Sequence, residues 1–412
     1  MNPTFEEIRR NLSILTDEVS DLSDAVVDKG GSQETHLPAI ASEISNLWTG
    51  GNGIVWTKID ENYNPISIEF RCSTYNSIIP VPPSTKHIRV KPTPFLISNG
   101  LTIVSGVFSN SQLESIELFD SYQTTIGEGA FYNCEHLRDV KLGNVTSISP
   151  GAFSNSGLES IDLSNVTTLG YYCFGDCTNL KSVTLGTSMT SLPGRCFYSS
   201  GLTSIDLSYI TTISSNCFEN CADLKSVVLN PSMTNIPDYC FRDCVSLTSI
   251  DLSHVQYLGY YAFYNCKSLK TIDLSGIVSL SNNLIFFGCE NLETVTMNPS
   301  ITSIPYYCFN GCTNLKNIDL SNVKTISDSA FEKTAITNVV LNDVTSISSN
   351  AFAWSSLNSI TIKSSNPSSL SISSSAFNYT NQLTDIYVSW SEGEVWGAPW
   401  GATNATIHYN TT

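Results

Sequence analysis

The residues best equipped for chemistry are the 13 cysteines. A thiol can bridge, ligate a metal or act as a nucleophile, and its spacing separates these uses. Cys173, Cys196, Cys217, Cys240 and Cys308 each stand directly before a phenylalanine. Cys134, Cys177, Cys221, Cys244, Cys266, Cys289 and Cys312 each follow one by three positions, and Cys72 alone lies outside this frame. The C-F-x-x-C pairs are not C-x-x-C, and His36, His87, His136, His254 and His408 share no ligand spacing, so no metal is expected. Two readings stay open. In-frame thiols can form stacked columns of small buried side chains. Cys196, Cys217 and Cys240, in consecutive repeats, could also bridge stacked coils about 4.8 Å apart. The odd count and the lack of a secretory signal weigh against bridging.

Other groups could also do chemistry. Asp162, Asp206, Asp251, Asp273 and Asp319 form a spaced carboxylate series. They could bind calcium, but solvated Asp followed by Ser is the expectation. Glu392 and Glu394 lie between Trp390 and Trp396, where a glycosidase pair or a capping turn would look alike. The capping turn is preferred because no cleft-forming domain surrounds it. There is no G-x-S-x-G and no phosphate-binding glycine loop. No catalytic, metal or cofactor residue is therefore assigned, and the chain is expected not to be an enzyme. Tyr171, Tyr172, Tyr239, Tyr260, Tyr261, Tyr306 and Tyr307 gather before the recurring Phe, and Tyr132, Tyr198 and Tyr264 just after it. They are candidates for sugar or peptide contact, since the ring offers an apolar face and a hydroxyl. They could equally just cover turns.

The elements that must position these groups come from a period of about 22 residues. Phe108, Phe131, Phe153, Phe174, Phe197, Phe218, Phe241, Phe263, Phe286, Phe309, Phe331, Phe352 and Phe377 occupy one position of it. An aliphatic residue stands five before each except Phe286, and a strand of the form L-x-x-I-x-L follows. Such a period predicts a β-rich solenoid of about thirteen coils with these Phe in its core. Long repeats keep six residues from Phe174 to Leu180, whereas short ones keep five from Phe153 to Leu158. The short corners replace Cys by Ser and a small residue, as in Ser156-Gly157, Ser200-Gly201 and Ser355-Ser356. The outward strand positions are Ser, Thr, Asp, Asn and Lys, a poor anchor for a tight protein partner.

The ends differ. In residues 1–48, Ile8, Leu12, Leu15, Val19, Leu22 and Val26 form a heptad seam, read as a helical, coiled-coil leader that pairs chains into a dimer or trimer. Residues 54–105 read as a small β module capping the solenoid, and five prolines between Pro80 and Pro94 argue there against helix and central strand. The solenoid is placed at 106–388 and a C-terminal cap at 389–412. A net charge of −17 with no basic cluster argues against nucleic acid. No apolar run approaches the roughly 20 residues that span a bilayer, so membrane insertion is not expected.

The frame I-x-x-x-x-F-x-x-C-x-x-L-x-x-I-x-L resembles the BspA-like leucine-rich repeat, first named for bacterial surface adhesins. The opening resembles the helical leader of phage tail and fibre proteins. The close, DIYVSWSEGEVWGAPWGATNATIHYN, resembles a segment on repeat proteins of gut Firmicutes and their phages. These resemblances, with no signal peptide in view, imply a virion appendage, a tail or head fibre that joins other virion proteins and contacts a bacterial surface glycan or protein. The alternative they imply is a BspA-like adhesin on the bacterial cell surface, binding host or matrix protein.

Overall fold

The computed structural model describes residues 53–59, 65–71, 85–90, 101–120 and 123–411, the first two stretches by strand pairing alone. The chain winds as a β-solenoid of about fourteen coils. Each coil lays strand on strand in parallel, because every turn of the winding runs in the same sense. Ser160–Leu163 pairs with Ser182–Leu185 in register, Ile161 opposite Val183. Ile161 and Leu163 point inward while Ser160 and Asp162 face solvent, the period-2 alternation of a half-buried strand.

A second parallel ladder runs through short strands ahead of the turn, such as Val145–Ile148 on Thr168–Leu169, and Ser303–Ile304 on Thr325–Ile326. Only one strand per repeat was legible in the sequence. A two-residue strand such as Ser303–Ile304 buries a single aliphatic residue, so no alternation exists to be read.

The turn between the ladders carries the recurring phenylalanine. All thirteen rings are buried, and successive rings stack from Phe108 to Phe377 at 4.9–5.8 Å with planes within 20°. The stack needs the turns to hold one conformation, and hydrogen bonds between coils enforce it. Phe131 N–H donates to Ala152 O at 2.7 Å and Phe218 N–H to Cys240 O at 3.0 Å, and the pattern repeats. In every turn but that of Phe377, where only Tyr379 does so, the residues two before and two after the Phe adopt positive φ, as Gly129 and Asn133 do around Phe131. The short coils tuck in close: a Cβ on Gly157 would lie 2.1 Å from Glu135 O, which is why glycine follows the shortened corner.

The twelve cysteines described are all free and buried. Those three after the Phe donate to the Phe carbonyl of the preceding coil, Cys177 Sγ to Phe153 O at 3.0 Å and Cys244 Sγ to Phe218 O at 3.2 Å. Ser156 and Ser200 take the same column in short coils and meet the next thiol, at 3.4 Å from Cys177 and 3.3 Å from Cys221. Of the two readings of the thiols, the columns are what is seen.

At the N-terminal end, Gly53–Ile59 and Pro65–Arg71 form an antiparallel hairpin. The hairpin feeds directly into the ladder, since Pro65–Arg71 pairs in parallel with His87–Val90, and that strand with Ser115–Glu117. The exclusion of a central strand between Pro80 and Pro94 is therefore corrected: His87–Val90 is the middle strand of a five-stranded sheet. All five prolines flank it, so its four residues keep their ladder N–H groups. Leu101–Ile103 likewise pairs with Thr124–Ile126, and Thr406–His408 adds to Asp385–Val388, so the ladder runs past both 106 and 388. Trp390 and Trp400 are buried in the last coil, and Trp400 O accepts the Phe377 N–H. The expected leader, with Ile8, Leu12, Leu15, Val19, Leu22 and Val26, lies outside the described residues. Among the described residues, no helix is long and apolar enough to cross a membrane.

Candidate ligand-binding edge

The turns stack into an edge along one side of the solenoid, and the sequence-selected tyrosines lie on it. Tyr172, Tyr239, Tyr261 and Tyr307 all occupy the position two before the Phe, with φ of 54–58°. Gly129, Gly151 and Asn216 hold that column in other coils. A left-handed backbone costs a bulky L-residue about 1–2 kcal/mol, so these rings are held at a local cost to stability.

From Tyr239 the rings form an unbroken run across four coils. Tyr239 stacks on Tyr261 at 5.0 Å, Tyr261 meets Tyr264 at 5.4 Å, and Tyr264 stacks on Phe287 at 4.9 Å. Phe287 then meets Tyr307 at 6.1 Å, and Tyr307 meets Tyr306 edge-on at 4.0 Å. Most of these rings are half-buried, so their faces are spent on one another and their rims and hydroxyls face outward. Tyr306 is 41% exposed, and its hydroxyl pKa is pushed up chiefly by its hydrogen bond to Tyr307. Tyr260, 43% exposed, donates its backbone N–H to the Asp238 carboxylate at 2.8 Å.

Arg242 anchors the run. Its guanidinium sits 5.9 Å from the Tyr239 ring centroid and 5.5 Å from that of Tyr264. It pairs with the buried Glu219 carboxylate at 3.0 Å and with Asp243 at 3.2 Å. Asn216 Nδ2 donates to the other Glu219 oxygen at 2.5 Å, so this carboxylate is fully engaged. A second group stands two coils away. Tyr171, Tyr172 and Tyr198 are in ring contact, Tyr172 donates its hydroxyl to Asp176, and Arg195 lies over Tyr198 at 5.4 Å. Burial, followed by the Asp176 hydrogen bond, pushes the Tyr172 hydroxyl pKa up. Asn220 bridges the groups by donating to Tyr198 Oη at 3.1 Å.

Sequence reasoning missed Phe287 and Arg242, which share with Tyr264 the position after the Phe. The signal was present in the Phe286-Phe287 doublet, whose second ring falls in register with Tyr264. It also missed Trp354 and Tyr379, which stack at 4.4 Å farther along.

The remaining candidates are taken up by turn construction. Asp162, Asp206, Asp251, Asp273 and Asp319 each accept the backbone N–H two residues on, from Ser164, Ser208, Ser253, Ser275 and Ser321, all at 2.9 Å. Asn230 and Asn298 do the same in long coils. Glu394 accepts the Ser391 N–H at 2.7 Å and caps its own turn. Trp390 is buried while Trp396 is 90% exposed, so the two rings do not frame one cleft. Among the described residues, no group of three or more His, Cys, Asp or Glu is placed to hold a metal ion. Burial pushes the thiols up, to about 11 at Cys177 and about 12 at Cys221 and Cys289, so they are poor nucleophiles.

A leucine-rich repeat protein from Bacteroides ovatus has a similar structure, 20% identical, covering 86% of this chain and 98% of that one with a TM-score of 0.57. A leucine rich cell surface protein from Faecalibacterium prausnitzii is 21% identical over 87% of this chain and 97% of that one, TM-score 0.39. The pneumococcal vaccine antigen PcpA is 15% identical over 88% and 98%, TM-score 0.47. The first likeness supports the fold. No curated protein matches the chain. None of these likenesses carries the expected resemblance to phage fibres. The pattern of the BspA type leucine rich repeat region matches in six copies over residues 101–225, 190–305 and 282–392, so the chain belongs to that family.

Proposed function

We propose that this protein is a BspA-like surface adhesin that binds a host or matrix protein through its turn edge. The observation that carries the reading is the ring run from Tyr239 to Tyr306 closed by Arg242. Tyrosine and arginine dominate protein-binding hot spots. Within this continuous, half-buried run the ring faces are taken up by neighbouring rings, so rims and hydroxyls remain, which suit a polypeptide better than a sugar. Asp238, Asp243 and Asp328 flank the run, where Arg242 is paired with Asp243 and Lys267 with Glu290, an acidic surplus that favours a basic segment on the partner. Membership of a family first named for surface adhesins supports this reading over the virion appendage.

The edge is tested by passing the protein over immobilised extracellular-matrix proteins with Tyr261→Asn and Arg242→Ala as variants. Both should weaken binding at least tenfold. Tyr261→Asn should also raise stability by up to about 1 kcal/mol, because Asn tolerates the left-handed backbone. Wild-type binding undiminished in both variants would sink the proposal. Cell fractionation with surface proteolysis addresses location: a chain found only after lysis argues against display.

A further inference from the structure

We propose a second, separate binding site on the last coils: the Trp354–Tyr379 pair is a platform for a neutral glycan. The two rings stack at 4.4 Å with planes 19° apart and are 54% and 59% exposed. Each sits two residues after its Phe, with φ of 57° and 60°. That column is otherwise held mostly by Asn, Asp and Gly, as at Asn133, Asn155, Asn220, Asn265 and Gly288, with Ser199 and Lys333 the other departures. Two large rings in consecutive coils at such a position cost stability and do not fill the core. Unlike the tyrosine edge, where most rings are half-buried in a continuous run, this pair stands apart from that run and both residues are more than half exposed.

The surroundings select the ligand. The turns SSNAFAWSS (348–356) and SSSAFNYTN (373–381) contain no charged residue, in a chain of net charge −17. The next turn, WGAPWGATN (396–404), is also uncharged and begins with Trp396, 90% exposed. Around the pair lie amides and hydroxyls that donate and accept alike: Asn378 Nδ2 to Asn350 Oδ1 at 3.4 Å, and Ser349 Oγ to Ser373 Oγ at 3.2 Å. The nearest charges in the ring column, Lys333 and Glu332, pair with each other at 3.5 Å. These turns carry no charged side chain, and the Asp328 carboxylate of the preceding coil is held by the Ser349 N–H at 3.1 Å. A pyranose does find what it needs, an apolar ring face for its C–H groups and neutral dual-role partners for its hydroxyls.

Affinity electrophoresis of the full chain in gels containing mannan, β-glucan or galactan tests this, with hyaluronan as the acidic comparator. At least one neutral polysaccharide should retard the protein. Trp354→Asn and Tyr379→Asn should each weaken that retardation at least tenfold, while Tyr261→Asn leaves it unchanged. Because Asn is the usual residue of the column, both platform variants should melt at or above the wild-type temperature, which separates lost binding from lost folding. The proposal is overturned if no neutral polysaccharide retards the protein, if hyaluronan alone does, or if the Trp354→Asn protein is retarded like wild type. Loss of matrix-protein binding in Trp354→Asn without any glycan effect would also overturn it, by making the pair part of a protein interface. Failure of the tyrosine edge leaves this test unaffected, since the two sites are read by different ligands and different variants.

Discussion

At the scale of single residues, the thiols show how burial fixes chemistry. Their pKa values rise chiefly because a thiolate would be stranded in the core. Below about 8.5, the unfolded value, both states are protonated and the full stability is present. Above it the unfolded thiols ionise while the folded ones hold their protons, toward about 11 at Cys177 and about 12 at Cys221. Stability should therefore fall as pH rises through that window. Urea midpoints under reductant at pH 7.5 and 9.5 check this, and Cys221→Ser should flatten the slope while keeping a donor for Phe197 O. Equal midpoints at both pH values would refute it. The cysteines were legible because they recur in frame. The strain on Tyr261 was not, because φ is not written in a residue type. The hint lay in Gly129 and Asn216, which share its column.

At the scale of the coil, the aspartates act through turn geometry. Hydrogen bonds from the Ser208 hydroxyl and backbone hold Asp206 below the ordinary carboxylate range, and the Ser253 backbone N–H leads at Asp251. Their contribution is present above the unfolded value of about 3.9 and is lost as pH falls through the depressed folded values. Asp206→Asn keeps an acceptor for Ser208, as Asn230 does for Ser232, and should remove part of the acid sensitivity without lowering stability at pH 7. Acid titration of ellipticity is the measurement; an unshifted midpoint counts against the turn assignment. The repeat strand was legible from L-x-x-I-x-L, but the second ladder was not, because strands such as Asn235–Ile236 are too short to show a period. His87–Val90 was hidden for a different reason: proline density across a window says nothing about a four-residue gap within it.

At the scale of the molecule, each coil rests only on its neighbours, so stability accumulates along the array and the end coils have least support. The period made this architecture legible, but left the binding surfaces unspecified, since Tyr264 and Phe287 become one surface only once coils stack in register. The thiols have a use at this scale too. Coils from Phe131 to Phe309 nearly all carry a cysteine of their own, hidden until that coil opens. The chain thus holds a built-in ruler of its own unravelling. Brief iodoacetamide pulses in rising urea, read by peptide mass, should mark Cys134 and Cys312 before Cys217 and Cys221. Labelling of all twelve at a single urea concentration would instead mean that the array comes apart as one piece.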